Sequence, residues 1–523
     1  MMSTDGFVSQ DDRPLRTIFR NVTTRYLSVF AEMLIGLLTL PFNLAHLGTE
    51  AYGLWMLTAG VTIHFSVLDL GYGGAMVKFI AQYRAHRNAR ALNEIASTLF
   101  FLFAGFGILA YLVIVGLAFN LDHVFTKLTL EQAHTGKWIL LIIGVNVAIN
   151  FPFSVFGGVS SGFQRYDINN VVAVCSNLLV AAVNVGVLLA GYGLLTLVAS
   201  TTFVRFVTYF LYRRNAYAVF PALRIRPSLF RRERLREVTG FSVYSSIIDW
   251  ANKLNYELDE VVIGVFMGAG PVAIWAVADR IISGTQRLTN QGNAVLLPVV
   301  VDSDTTQNTQ RLQRVLLEGT RLSLATVVPI AIVLVVLAEP LIRAWIDKPE
   351  ILAAVPVIQI LAFAVALRVG NATSTTLLKG AGQVKHVAMV NIWTGLVNLA
   401  MSAFLIKWFG LIGVAVGTLI PVAFSSIFIL FPAACRRVGV PVLSAARQAV
   451  WPAVWPALVV GALLFVSRHY TPDGLGFVVA EAAAAGLLYL MLFVVALGRR
   501  DREIYTAKIW ELAGRKRDLA PAT

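Results

Sequence analysis

The sequence predicts an all-α protein that crosses a membrane many times, and three observations support this prediction. Hydrophobic residues make up 57% of the 523-residue chain, and its mean hydropathy is +0.72. Charged residues make up only 14%, whereas soluble domains contain roughly 25%. Apolar runs such as LLVAAVNVGVLLAG at 178–191 lie in windows long enough to cross about 30 Å of hydrocarbon as helices.

Apolar length and polar interruptions together predict about 14 transmembrane helices. The predicted spans lie near residues 21–45, 51–80, 95–119, 137–159, 169–190, 193–213, 240–264, 270–300, 319–339, 352–377, 387–407, 410–433, 449–467 and 475–497. Because the N-terminal stretch STDGFVSQDD lacks a basic start, a signal peptide is not expected.

The distribution of lysine and arginine predicts the orientation of these helices. The chain has 43 Lys and Arg residues and a net charge of +14, and most of them fall in alternate connecting segments and in the two tails. The basic residues of the opposite segments are Lys127, Lys137, Arg343, Lys348, Lys407 and Arg468. By the positive-inside rule both termini are cytoplasmic, so the charge reflects topology and anionic lipid rather than nucleic-acid binding.

Two halves of the sequence resemble each other. LGTEAYGLW at 47–55 aligns with MGAGPVAIW at 267–275, which pairs Gly48 with Gly268. SGFQRYD at 161–167 aligns with AGQVKHV at 381–387 at the same offset, and GLLTLVAST at 193–201 aligns with GLIGVAVGT at 410–418 at a slightly shorter one. Each repeat unit has six helices, which is an even number, so both copies begin on the same side of the membrane. The repeat is therefore parallel.

The repeat divides the chain into segments. We predict an N-lobe at 1–212 and a C-lobe at 239–434, each of six helices, followed by an appended helix pair at 435–498. Residues 213–238 form a basic amphipathic cytoplasmic linker, which either lies on the anionic leaflet as a helix or is a solvated loop. Residues 499–523 form a basic cytoplasmic tail.

Several stretches resemble the multidrug/oligosaccharidyl-lipid/polysaccharide (MOP) exporter superfamily, and within it the Wzx-type polysaccharide flippases. The stretches include LGTEAYGLWMLTAG with Gly48, SVLDLGYGGAMVKFIAQY with Gly71, and LNYELDEVVIGVFMGAGPVAIWAVADRI with Asp259 and Gly268. The resemblance implies a MATE-like, V-shaped fold of two lobes that alternates between inward- and outward-open states. It also implies lipid-linked oligosaccharides on polyprenyl pyrophosphate as substrates.

Basic residues inside the predicted C-lobe helices are candidates for the substrate site. Arg280, Gly284, Arg287 and Gln291 lie four, three and four residues apart, so they share one helix face. The candidate pyrophosphate contacts, since Arg binds phosphate oxygens in a fork, are Arg280, Arg287, Gln291, Lys253 in helix 7 and Arg368 in helix 10. The alternative is mutual neutralisation, because Asp279 adjoins Arg280 and Asp249 lies one turn from Lys253.

The two copies of the repeat differ at these charges. Counted back by the offset that pairs Gly268 with Gly48, Arg280 and Arg287 fall on Gly60 and Val67. The sequence therefore predicts an apolar first hairpin and a charged second one, with the substrate site in the C-lobe.

Intramembrane acids are candidates for ion coupling. Glu32 and Asp69 are the deepest acids of the predicted N-lobe, and desolvation favours proton uptake by a carboxylate. Asp249 and Asp279 are further candidates in the C-lobe. The alternative for Asp69 is structural, namely hydrogen bonding at a kink beside Gly71.

No nucleotide-binding, zinc or nucleophile motif appears in a suitable context, so we expect neither an enzyme nor a bound cofactor or metal. The favoured function is a flippase in the bacterial inner membrane that moves an undecaprenyl-pyrophosphate-linked glycan for surface polysaccharide synthesis. A polysaccharide polymerase and glycosyltransferases are the expected protein partners. The alternatives are a MATE-type drug/cation antiporter, a polytopic polymerase or ligase, and a scaffold without transport activity.

Overall fold

A computed structural model describes residues 14–239, 258–290, 293–346, 348–468, 470 and 474–497. All regular secondary structure in this part of the chain is helical. The α-helices are α1 Pro14–Leu47, α2 Thr49–Ile63, α3 Tyr72–Ala85, α4 Ala89–Phe119, α5 Leu121–Val124, α6 Leu130–Gly162, α7 Tyr166–Leu189, α8 Leu194–Val219, α9 232–239, α10 Asp259–Met267, α11 Ala269–Asn290, α12 Asn293–Thr305, α13 Thr309–Trp345, α14 Ala354–Gly380, α15 Val384–Phe424, α16 Phe431–Val438, α17 Val442–Ala445, α18 Trp451–Ser467 and α19 Leu475–Ala496.

The protein is a multi-pass membrane protein. Within the described residues, 10 helices are long and apolar enough to cross a membrane, and the predicted all-α class is confirmed. One of them, Val384–Val438, is 55 residues long. It is interrupted at Gly410, where φ is 57° and ψ is −136°, so it holds the two spans predicted at 387–407 and 410–433.

The span predicted at 51–80 is wrong as a single helix. α2 ends at Ile63, a 3-10 segment covers His64–Asp69, and α3 starts at Tyr72. Leu70 and Gly71 between them have φ values of 49° and 73°, which a helix cannot include. Hydropathy did not reveal this break, because the residues that form it are mostly apolar.

The turn before α4 and the turn before α13 repeat each other at the same offset as Gly48 and Gly268. Arg87 and Gln307 have φ values of 52° and 53°. Asn88 and Asn308 then cap the helices, accepting hydrogen bonds from the backbone of Ala91 and of Arg311. A matched pair of left-handed non-glycine residues followed by an Asn cap is a specific sign of a duplicated unit.

Two of the sequence landmarks also lie at matching turns, one of them in a different register. Gly48 and Gly268 have φ values of 78° and 90°, and each closes a helix before the next begins. At the second landmark the left-handed residues are Gln164 and Gly382, with φ values of 62° and 78°. Gly382 thus corresponds to Gln164, so its predicted pairing with Gly162 is wrong by two positions.

The described chain forms two compact units. The first contains Met1–Arg280 and Asn391–Thr418, and the second contains Ile281–Val390 and Leu419–Thr523. In the first unit a core of α3, α4 and α6 includes Ile80, Leu99 and Val159, all fully buried. The predicted lobe boundaries remain a prediction.

The appended helices α18 and α19 pack against α13 in the second unit. Tyr489 of α19 is fully buried and its hydroxyl donates a hydrogen bond to the backbone oxygen of Ala453 at 2.9 Å. Ile332 of α13 lies against Gly461, and Arg468 pairs with Glu339. The pair is therefore an integral part of this unit's core.

The basic linker belongs to the first unit and packs against α3 and α4. Its apolar residues Phe220, Leu223 and Val238 belong to the buried core around α3 and α4. Three side chains of α4 also form hydrogen bonds with the backbone of the linker. Asn93 donates to the oxygen of Ala222 and accepts from the N–H of Arg224. Ser97 donates to the oxygen of Arg224 and accepts from the N–H of Arg226, and Thr98 accepts from the N–H of Arg231. The apolar side of the linker is thus covered by protein.

An ion-pair cluster fastens the linker to the ends of α3 and α4. Glu94 is 7% exposed and lies 3.3 Å from Arg234 and 4.0 Å from Arg231. Tyr83 donates to Glu237 at 2.8 Å, and burial, followed by that hydrogen bond, raises the pKa of Tyr83 to about 12. Tyr83 therefore stays protonated and remains a donor at physiological pH.

We expect Glu94→Ala to loosen the linker, because it leaves guanidinium groups without their buried carboxylate. The cost is about 1–3 kcal/mol, reduced by the partial exposure of the arginines. Limited trypsin digestion of the detergent-solubilised protein should show faster cleavage after Arg231 and Arg232. Glu233→Ala is the control, since Glu233 is an exposed carboxylate on α9, the helix of the linker itself. Equal cleavage rates in the two variants would contradict the role of Glu94.

Candidate functional site

A cavity of about 310 Å³ lies in the first unit among α1, α2, α7, α8, α10 and α11. We call it the guanidinium cavity, because Arg205 of α8 and Arg280 of α11 both line it. Both are exposed, and α8 is one of the helices apolar enough to cross a membrane. A charge within a membrane helix is costly unless it faces protein or water, so this cavity is a polar site inside the membrane domain.

The charges of the cavity are mixed. Glu32 of α1, Glu260 of α10 and Asp279 of α11 line it together with the two arginines. In the described part of the chain neither guanidinium forms a hydrogen bond or an ion pair. The cavity therefore offers two guanidinium donors to a ligand, in the presence of carboxylates that compete for them.

Two glycines make room for the charged groups. The Arg280 guanidinium lies against Gly36 of α1 so closely that a Cβ atom at Gly36 would clash with it. The Glu260 carboxylate lies in the same way against Gly60 of α2. Gly60 is the residue that corresponds to Arg280 in the repeat. Its lack of a side chain leaves space for the carboxylate of Glu260.

Two buried amides complete the lining. Asn43 and Asn184 are each 5% exposed, and the Oδ1 atom of each has no hydrogen-bond partner in the described structure. Buried amide oxygens are normally satisfied. These two acceptors are available to water or to hydroxyl groups of a ligand.

Arg205 also lines a second cavity of about 810 Å³, which lies among α2, α3, α6 and α8 in the same unit. Because α8 runs from Leu194 to Val219, Arg205 lies near the middle of this membrane helix. One guanidinium therefore connects two cavities within the first unit.

Arg287 and Arg368 are not among the described residues that line this cavity. Arg287 and Arg368 belong to the second unit, although Arg280 and Arg287 share one helix. Lys253, Asp249 and Gln291 lie outside the described residues. Among the predicted pyrophosphate contacts that the structure describes, Arg280 lines the guanidinium cavity, where it is joined by Arg205.

Asp69 has a structural contact. Its Oδ1 atom accepts a hydrogen bond from the backbone N–H of Gly73 at 3.0 Å, at the start of α3 and just after the left-handed Leu70 and Gly71. This is the geometry of the structural alternative given for Asp69. Ion coupling by Glu32, Asp69 and Asp279 stays a prediction.

Asp259 belongs to a cluster of oxygen atoms that the sequence did not predict. The Thr418 hydroxyl lies 3.3 Å from Asp259 Oδ2 and 3.4 Å from Asn398 Oδ1, and Ser402 donates to Asn398 at 2.9 Å. The backbone oxygen of Val414 accepts from Thr418 at 3.2 Å. The signal in the sequence is the four-residue spacing of Asn398 and Ser402 in an apolar helix.

Clusters of three or more His, Cys, Asp or Glu side chains that could hold a metal ion do not occur in the described part of the chain. Apart from the oxygen cluster, the sequence did not predict four residues that line the guanidinium cavity: Asn43, Asn184, Glu260 and Arg205. The signal for Arg205 was its isolated position in an apolar helix.

Three solved structures of similar fold are described as a flippase or a transporter. The lipid II flippase MurJ in an inward closed conformation matches with a TM-score of 0.72 at 12% identity, over 95% of this chain and 99% of that one. An inward-facing multidrug resistance MATE family transporter of the MOP superfamily matches with a TM-score of 0.64 at 15% identity, over 78% of this chain and 98% of that one. The multidrug transporter DinF-BH in complex with R6G matches with a TM-score of 0.62 at 15% identity, over 82% and 98%.

These likenesses confirm the predicted MOP-type fold, and the proteins concerned are flippases and transporters rather than enzymes. No curated protein matches the chain significantly. The family model described as polysaccharide biosynthesis protein matches residues 47–349, which is more than half of the chain and includes both hairpins of the repeat. The chain therefore belongs to the polysaccharide biosynthesis protein family and has the fold of MOP-superfamily transporters.

Proposed function

We propose that the protein is a flippase that moves a polyprenyl-pyrophosphate-linked oligosaccharide across the bacterial inner membrane by alternating access. The observation that carries this proposal is the pair of guanidiniums, Arg205 and Arg280, in one cavity of a membrane unit. A guanidinium binds phosphate oxygens with two parallel hydrogen bonds. A pyrophosphate offers enough oxygens for both arginines.

Family membership supports the glycan part of the proposal, since polysaccharide biosynthesis requires its lipid-linked units to cross a membrane. The MurJ likeness concerns a protein described as a lipid II flippase. Arg287, Arg368, Lys253 and Gln291 are proposed as further contacts for the headgroup in other states of the cycle. A polymerase and glycosyltransferases of the same pathway are the proposed partners.

The three carboxylates give the cavity a means of releasing its ligand. A carboxylate near a guanidinium competes with a pyrophosphate for it, and protonation removes that competition. Glu32, Asp279 and Glu260 are thus proposed to link pyrophosphate binding to proton uptake. Asp69 and Asp249 are the remaining candidates for ion coupling.

The proposed orientation places both termini in the cytoplasm. It rests on the concentration of Lys and Arg in alternate connecting segments. The basic linker, with Arg232 and Arg236 exposed on α9, then lies at the anionic leaflet of the inner membrane.

The direct test is a reconstituted flipping assay. Proteoliposomes that contain a fluorescent polyprenyl-pyrophosphate-linked oligosaccharide are expected to expose the lipid from both leaflets to a membrane-impermeant quencher. Protein-free vesicles should expose about half of it. Quenching that stays at the level of protein-free vesicles would overturn the proposal.

A drug/cation antiporter is the second candidate, and the excess of carboxylates over guanidiniums in the cavity favours it. Cationic drugs would pair with Glu32, Glu260 or Asp279. This candidate predicts that expression in an efflux-deficient strain lowers sensitivity to rhodamine 6G and similar cations. Unchanged sensitivity, together with active glycolipid flipping, would exclude it.

A further inference from the structure

The second cavity of the first unit, of about 810 Å³, has a polar lining that the pyrophosphate does not require. Asn146, Asn150, Ser154 and Ser161 of α6 all line it. They lie four, four and seven residues apart, so they form one face of the helix. We call this face the α6 polar stripe.

The stripe is unusual for a membrane helix. α6 is apolar enough to span a bilayer, with a mean hydropathy of 2.1 in its most apolar window. Asn150 and Ser154 are nevertheless exposed. Because amide groups are costly against lipid, the stripe must face an aqueous space or a polar ligand.

The side chains of the α6 polar stripe are uncharged, and each can both donate and accept hydrogen bonds. An amide both donates and accepts, and a hydroxyl does the same. Asn150 makes no hydrogen bond in the described structure, so its whole amide is available. Ser154 donates to the backbone oxygen of Phe151 at 2.7 Å, which leaves its lone pairs to accept from a ligand.

Other residues of the lining continue this pattern. Thr62 and Ser66 donate to oxygens of their own helical segment and so present acceptors to the cavity. Tyr209 donates to Asn146 and adds an aromatic ring beside the stripe. Neutral acceptors, neutral donors and an aromatic face together suit the hydroxyl groups and apolar ring faces of sugars.

Two of the described residues that line this cavity carry a charge. Among the described residues that line the cavity, Asp69 is the carboxylate and Arg205 the guanidinium. Asp69 is engaged by the N–H of Gly73. Arg205 is shared with the guanidinium cavity, so a pyrophosphate held by Arg205 lies next to the polar stripe.

We propose that this cavity is the sugar-binding subsite of the transport site, with the hydroxyls of the pyrophosphate-proximal sugars bound along Asn146, Asn150 and Ser154. The proposal rests on the proposed flippase function. Arg205 contacts the pyrophosphate, and the stripe distinguishes a lipid that carries a glycan from one that does not.

The test compares the binding of two lipids to purified protein in detergent by native mass spectrometry. One probe is undecaprenyl pyrophosphate. The other is the undecaprenyl-pyrophosphate-linked oligosaccharide that accumulates in cells from which the protein has been deleted. Wild-type protein should bind the second more tightly, and Asn150→Leu should weaken that binding by about tenfold while leaving undecaprenyl pyrophosphate within about twofold.

Ser154→Phe fills the same cavity and should give the same selective loss. Val145→Phe is its control, because Val145 is exposed on α6 and does not line the cavity. Equal loss of both lipids in the stripe variants, or unchanged binding of the glycolipid, would overturn the sugar subsite. Wild-type protein that binds both lipids equally would also overturn it, whereas failure to bind either lipid would overturn the flippase function itself.

Discussion

Replacing Arg205 or Arg280 with alanine will reduce glycolipid flipping by about 10- to 100-fold for each arginine. Each change removes charged hydrogen bonds worth about 1.5–3 kcal/mol, and a factor of ten corresponds to about 1.4 kcal/mol. Lysine at either position should restore only part of the activity, since an ammonium cannot reproduce the planar fork of a guanidinium. The measurement is the initial rate of flipping in proteoliposomes.

Arg213→Ala is the matched control for this prediction. Arg213 lies on the same helix as Arg205, is exposed, and contacts the ring of Tyr217 rather than a cavity. It should leave the flipping rate unchanged. If Arg205→Ala and Arg280→Ala transport at the wild-type rate while remaining folded, the guanidinium cavity is not the headgroup site.

Replacing Gly53 with valine will disrupt the packing of α2 against α11. A Cβ atom at Gly53 would clash with the backbone oxygen of Ala269, and a backbone atom cannot move aside as a side chain can. Overpacking of this kind costs about 1–3 kcal/mol. We expect the apparent unfolding temperature in detergent to fall by several degrees, and flipping to fall with it, because α2 and α11 both line the guanidinium cavity.

Gly186→Val provides the comparison. Gly186 lies within α7, and a Cβ atom there would meet nothing within 4 Å, so the helix-propensity cost is the same while the steric cost is absent. Identical unfolding temperatures for Gly53→Val and Gly186→Val would contradict the close α2–α11 contact.

Much of the fold could be predicted because its determinants are local. Apolar length located α4, α6, α7, α8 and the appended pair α18 and α19, since a helix in lipid needs only enough apolar residues. Gly48 and Gly268 were recognisable because their turns require positive φ values. The break at Leu70 and Gly71 escaped the assignment of spans by hydropathy, since apolar residues also continue through it, although a kink beside Gly71 was the structural alternative for Asp69.

The candidate site was predicted only in part. Arg280 and Glu32 were singled out because charges inside membrane helices demand a polar partner or a cavity. Their shared cavity with Arg205 could not be predicted, because residue spacing fixes the face of one helix and not the helices that pack against it. The same limit explains why Arg287, on the face of Arg280, belongs to the other unit.

The sequence by itself determined the membrane class, the positions of most helices and the duplication, because hydropathy, caps and left-handed turns act over a few residues. Only the tertiary structure decided which charges meet. Gly36 and Gly60 show the reason: their missing side chains matter only because helices distant in sequence bring Arg280 and Glu260 against them.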